Sequence, residues 1–120
     1  MTSKELALTL AGLLDDKKGR DIKVLDTGAL TTLADYFVLC TAGSNTQIKA
    51  LADYCQKELK EKGEVPHHVE GHRGGTWVLL DYSSVVVHLF LEETRDFYDL
   101  ERLWHDAAEV DLSQVLKRAD

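Results

Sequence analysis

The residues of this chain best suited to chemistry are a Gly43-Ser44 pair, a group of histidines and a glycine-rich run. Gly43-Ser44 follows an apolar stretch and precedes a helical pattern, a place where backbone N–H groups can hold a phosphate. Enzymes that transfer nucleotides combine such a pair with Asp-x-Asp on a neighbouring strand, because Mg²⁺ needs hard oxygen ligands to offset the triphosphate charge. That carboxylate pair is missing. The next aspartate, Asp53, falls inside the helical pattern and is followed by Tyr54-Cys55. Ser44 therefore reads as a helix cap, with Gln47 at capping-box spacing.

His67, His68 and His72 lie close to Glu70, but adjacent His67 and His68 point to opposite faces of a strand, and no second ligand group stands at zinc spacing. No metal site is expected. Gly71-His72-Arg73-Gly74-Gly75 lacks the strand-then-helix context of a phosphate cradle and reads as a turn. No Ser or Cys nucleophile stands beside a base. His88, inside an apolar run, reads as a core or sheet-face histidine, and Cys40 and Cys55 as reduced thiols used as small hydrophobes. The expectation is a protein without catalysis, cofactor or metal.

The elements that position these residues follow from periodicity. Thr2 and Glu5 have capping-box spacing, and Leu6, Leu10, Leu13 and Leu14 recur on one side of a helix that stops at Gly19. A strand over 21–25 is followed by a polar connection over 27–34. The unbroken apolar run 36–40 predicts a central strand buried on both faces. A second helix from Ser44 to Gly63 carries Ile48, Leu51, Ala52, Cys55 and Leu59 as its apolar stripe. Pro66 limits 65–70 to an edge strand or a strand start. The runs 77–80 and 85–91 are the strongest strand signals, joined by a hairpin loop at 81–84. A third helix is predicted over 93–108, with Phe97, Leu100, Leu103 and Trp104 on its buried face, and the charged tail 111–120 could add a helical turn or two. The sum is one domain over 1–120, an α/β fold with a mixed five-stranded sheet and about three main helices.

Composition narrows the class further. The chain has 120 residues, 44% hydrophobic and 29% charged, an ordinary globular balance. Its 21 acids and 14 bases give a net charge of -7, which opposes broad nucleic-acid binding and suits a basic partner. The start, Met1-Thr2-Ser3-Lys4-Glu5, lacks a basic leader and apolar stretch, and no apolar run could cross a bilayer, so a cytoplasmic protein without membrane contact is expected. The hairpin carries Trp77, Leu79 and Asp81 at one parity and Val78 and Leu80 at the other. Two arrangements satisfy an apolar pattern on both faces. Either both faces are covered within the monomer, or some of Trp77, Leu79, His88 and Phe90 are exposed as an interface.

An ordered set of motifs resembles the ribosomal silencing factors, also called Iojap-like proteins. It comprises Asp35-Tyr36-Phe37-Val38, Gly43-Ser44 with Gln47, Glu70-Gly71, Gly75-x-Trp77-Val78-Leu79-Leu80-Asp81-Tyr82, Val85-Val86-Val87-His88-x-Phe90 and Arg95-x-Phe97-Tyr98-x-Leu100-Glu101-x-Leu103-Trp104. The resemblance runs from about Leu6 to Ala108. It implies a nucleotidyltransferase-like fold without catalytic carboxylates, and binding to the large ribosomal subunit through ribosomal protein L-fourteen. Such binding blocks joining of the small subunit and represses translation under nutrient limitation. The resemblance also implies self-association as a dimer. Exposure parity and family motif together give Trp77, Leu79, Asp81, Tyr82, His88, Arg95 and Tyr98 as the expected partner-binding residues, with Trp77 as apolar anchor and Asp81 as acidic contact. The competing readings are a large-subunit assembly factor and a nucleotide-dependent enzyme.

Overall fold

The computed structural model describes residues 1–117. Its elements run α1 (Ser3–Asp16), β1 (Arg20–Asp26), β2 (Tyr36–Ala42), α2 (Asn45–Glu61), β3 (His68–Glu70), β4 (Trp77–Asp81), β5 (Val85–Leu91), α3 (Glu92–Tyr98), α4 (Leu100–Leu103) and β6 (Ala108–Glu109). The strands form one mixed sheet in the order β3-β4-β5-β2-β1-β6, in which only β2 and β5 run parallel. The five-stranded expectation thus gains a sixth strand. Ala108 and Glu109 pair antiparallel with Asp26 and Leu25, at the position where the third helix was expected to end.

The third helix differs as well. It breaks after Tyr98, where Asp99 takes a left-handed conformation (φ 47°, ψ 57°) and donates its N–H to the Arg95 carbonyl. A non-glycine residue in that region resists continuation of the helix. The break turns Phe97 and Leu103, expected on the buried face, out to solvent at 80% and 70% exposure. Leu100 and Trp104 keep to the inner side, packed against Phe37 and its neighbours. The described part of the tail packs back onto the domain. Leu112 is buried in the main core, and the Lys117 N–H reaches the Asp15 carboxylate at 2.8 Å. The part of the expected helical tail at 118–120 lies outside the described residues.

The two sheet faces are covered unequally. Strand alternation sends Val38, Cys40 and Ala42 from β2, and Val85, Val87 and Leu89 from β5, to the face that α1 and α2 cover. Leu10, Leu14, Ile48, Leu51 and Leu59 close that face, each fully buried and worth ~1.5–3 kcal/mol. The helices start where their caps direct. Thr2 and Glu5 make both bonds of a capping box, and the Ser44 hydroxyl accepts from the Gln47 N–H at 3.1 Å. Gln47 returns its amide oxygen to the Gly43 N–H at 2.6 Å. The opposite face carries Phe37, Leu39, Val86 and Phe90, and the short α3–α4 corner and the segment behind it are what pack there.

Candidate functional site

The thinly covered face holds an aromatic cluster built by strand register. β4 sets Trp77 opposite Phe90 of β5, and Leu79 opposite His88. Trp77 is partly buried between Phe90 and Tyr98, with ring centroids 5.1 and 4.7 Å away. Its indole N–H donates to Nδ1 of His88 at 3.1 Å. His88 in turn stacks on Phe90 and meets Phe37 edge-on. Burial pushes the His88 imidazole down to about 4, so the ring is neutral at physiological pH, and the indole bond to Nδ1 goes with the tautomer protonated on Nε2. Tyr98 is 54% exposed, and Phe97 packs edge-on against it from further out. Phe97, Leu103 and Tyr98 border a hollow that Asp99, Arg102 and His105 complete. A second hollow beside Trp77 and Leu79 is edged by Glu70 and Gly71. Gly71 is required there: its φ is +79°, and a Cβ would run into the Trp77 carbonyl oxygen.

Arg95 fastens the α3–α4 corner to the sheet. Its Nε donates to Glu101 at 2.9 Å, and Nη1 donates to the Asp21 carbonyl at 2.7 Å and the Thr41 hydroxyl at 2.8 Å. Nη2 faces the Asp21 carboxylate at 3.7 Å without a hydrogen bond. Asp21 sits at a bulge in β1 with φ 47°, and its carbonyl meets Arg95 from there. Lys23 holds the other Glu101 oxygen at 2.8 Å. Partial burial acts to raise the Glu101 carboxyl, but the bonds from Arg95 and Lys23 outweigh it and hold it below the usual range. The Glu101 carboxylate raises the Lys23 ammonium in return. A charged group this deep requires such partners on several sides.

Three of the seven expected interface residues are therefore corrected in their placement. Tyr82, His88 and Arg95 are buried, at 5, 6 and 5% exposure. Tyr82 points into the core under α1 and α2, with its hydroxyl lacking a hydrogen-bond partner among the described residues and its pKa raised by burial. Arg95 is a structural clamp and His88 supports Trp77. Trp77, Leu79 and Asp81 are partly exposed on one strand, and Tyr98 stands over Trp77 from α3. Phe90, considered for the surface alongside them, is buried beneath Trp77. Sequence reasoning missed Phe97 and Leu103, whose exposure depends on the helix break at Asp99. Asp99, neither glycine nor proline, is a faint signal for that break.

The surroundings of this patch are acidic. The exposed acids of α3 and its C-cap, Glu92, Glu93, Asp96 and Asp99, outnumber the exposed bases near them, Arg102 and Arg20, the latter lining a hollow with Glu92, Glu93 and Asp96. Of the three histidines expected to form a polar edge, two are tied in separate pairs, His68 to Glu70 and His72 to Asp53. Among the described residues no group of three or more His, Cys, Asp or Glu could hold a metal ion. At Gly43-Ser44 the Gly43 and Gln47 N–H groups are taken by the protein's own Gln47 and Ser44 side chains, and Asp53 lies along α2 bonded to His72. No helix among the described residues is long and apolar enough to cross a membrane.

Comparison with known proteins places this surface in context. A family model described as ribosomal silencing factor during starvation matches residues 1–120. A protein of Chromobacterium violaceum named ribosomal silencing factor is 45% identical over 104 residues, covering 87% of this chain and 85% of its own. A crystal structure of a Chromobacterium violaceum protein superposes with a TM-score of 0.85 at 45% identity, covering 88% of each chain. A mouse protein named mitochondrial assembly of ribosomal large subunit protein 1 is 35% identical over 98 residues, which are 79% of this chain and 43% of that one.

Proposed function

The chain belongs to the ribosomal silencing factor family, and from that premise we propose that it docks on the large ribosomal subunit through ribosomal protein L-fourteen. There it blocks joining of the small subunit by steric exclusion and lowers translation when nutrients are scarce. Members of the family are regulators rather than enzymes. The observation that carries the docking reading is the aromatic sheet face: Trp77, Tyr98, Phe97 and Leu103 form an accessible apolar patch beside the acids of α3. Large apolar residues at the centre of an interface supply most of its affinity. An acidic surround speeds encounter with a basic protein and disfavours exposed rRNA. In this reading Trp77, Leu79, Asp81 and Tyr98 touch the partner, joined by Phe97 and Leu103, while Tyr82, His88 and Arg95 act from beneath. The action is cytoplasmic, self-association as a dimer accompanies it, and the fold is a nucleotidyltransferase-like frame put to binding use.

The test is sedimentation of the purified chain with separated ribosomal subunits, combined with light scattering of subunit joining. Association with large subunits only, and slower joining at saturation, is the expected result. Equal association with small subunits, or none with either, overturns the reading. A second reading, a factor for large-subunit assembly, draws support from the name of the mouse relative. Preference for immature over mature large subunits, without an effect on joining, would favour it.

A further inference from the structure

The docking face contains one polar contact that its apolar neighbours cannot replace. The Trp77 indole N–H is a donor only, and it lies partly buried among Phe90, Tyr98 and His88. His88 Nδ1, 3.1 Å away, is the acceptor. We propose that His88 is the positioning residue of this face: its imidazole, unprotonated at Nδ1, fixes the Trp77 ring in the pose that the partner meets. The inference rests on the docking reading given above.

Three features of the site support it. Parallel stacking on Phe90 (5.8 Å, 10°) and the edge contact with Phe37 (5.3 Å) fix the imidazole plane from two sides. The bond then selects one orientation of an indole that the flanking rings alone would hold less strictly, since apolar packing is non-directional. Lastly, nothing charged sits next to the imidazole in its row of the sheet. Leu79 and Leu39 flank it, and Glu70 and Lys23 stand one strand further out on either side. On the covering segment, Tyr98 stacks on Trp77, while Arg95 and Glu101 are bonded to each other. Burial alone lowers the imidazole's proton affinity, so the ring is neutral at physiological pH, and the indole donor facing Nδ1 selects the tautomer with its proton on Nε2. A proton on Nδ1 would set donor against donor and release the indole.

The experiment compares the full chain with His88→Leu, His88→Asn and Trp77→Ala. The Asn side-chain oxygen can stand near the place of Nδ1, so it restores the acceptor without the ring. Nitrogen NMR of the wild type should show the imidazole proton on Nε2, and the Trp77 indole N–H signal should move in His88→Leu and return toward the wild-type position in His88→Asn. Affinity for large ribosomal subunits should fall roughly three- to tenfold in His88→Leu, the loss of one hydrogen bond, and recover in His88→Asn. A wild-type imidazole protonated on Nδ1, or an indole signal unmoved in His88→Leu, overturns the positioning role. Lost binding in Trp77→Ala with unchanged binding in His88→Leu leaves the docking face and overturns only the role of His88. Normal binding in Trp77→Ala overturns the face itself. Should His88→Leu fail to fold, the wild-type tautomer and His88→Asn decide: a shifted indole signal and weakened binding in the folded Asn variant overturn the role.

Discussion

Arg95→Ala is the substitution that most severely tests the physical account of the docking platform. Arg95 is 5% exposed, and its guanidinium makes hydrogen bonds to Glu101, the Asp21 carbonyl and the Thr41 hydroxyl. Truncation removes all three and leaves Glu101 with Lys23 alone. Breaking a buried charge pair from one side costs ~3–5 kcal/mol. The Glu101 side chain keeps 29% of its surface in water and can rehydrate, which places the loss at the low end, about 3 kcal/mol. For a domain of this size that corresponds to a melting point lowered by roughly 10–15 °C. The assay is thermal unfolding at neutral pH, with urea unfolding as a check on the free energy. The double variant Arg95→Met, Glu101→Leu removes both charges and should recover part of the loss, because the half-partnered carboxylate is gone and Lys23, with 32% of its side chain exposed, can rehydrate. Arg95→Ala melting within about 2 °C of wild type would refute the clamp, since even a modest single-site loss exceeds that.

Further outcomes follow from the same geometry. His88 is depressed from its ordinary 6.5 to about 4, so the neutral folded form contributes stability that is complete above pH 6.5 and is lost as pH falls toward 4, by about 3 kcal/mol in all. Melting from pH 7 down to 4.5 should show this slope in wild type and lack that share of it in His88→Leu. Gly71→Ala should lower stability by about 2 kcal/mol or more, because φ is +79° and the added methyl meets the Trp77 carbonyl; chemical unfolding measures it. Cys40 and Cys55 are buried, and burial raises the Cys55 thiol, so both should resist a thiol reagent under native conditions and react on unfolding.

Much of this architecture was legible in the sequence because it depends on local signals. The capping box of Thr2 and Glu5, the cap at Ser44 and the unbroken apolar run 85–91 each involve residues a few positions apart, and the structure contains all three as a capped α1, a capped α2 and a buried strand. The sixth strand was hidden because two residues carry no periodicity, and Ala108-Glu109 suits a helix equally well. Phe97 and Leu103 fit a continuous helical stripe, and only the left-handed Asp99 turns them outward. Arg95 reads as a surface cation until its partners are known. Those partners, Asp21 and Thr41, are 74 and 54 residues away. The same holds for His88, whose partner Trp77 lies across a hairpin, so that parity places both on one face but does not reveal the bond. The inequality of the two sheet faces could not be read from strand patterns that are apolar on both sides, because it depends on how far α3 and α4 extend.

The central claim, that the aromatic sheet face is the docking surface, is tested most directly at Phe97. This ring is 80% exposed, so Phe97→Glu should leave the fold intact, with stability changed by no more than ~0.5 kcal/mol. Ala50→Glu, an exposed position on α2 across the sheet, introduces the same charge away from the patch and serves as the control. The measurement is equilibrium binding of each folded variant to purified large ribosomal subunits. The expected result is binding weakened by about 30-fold or more in Phe97→Glu, the loss of an aromatic contact at an interface, and unchanged in Ala50→Glu. Wild-type affinity in Phe97→Glu, or equal loss in both variants, would contradict the claim.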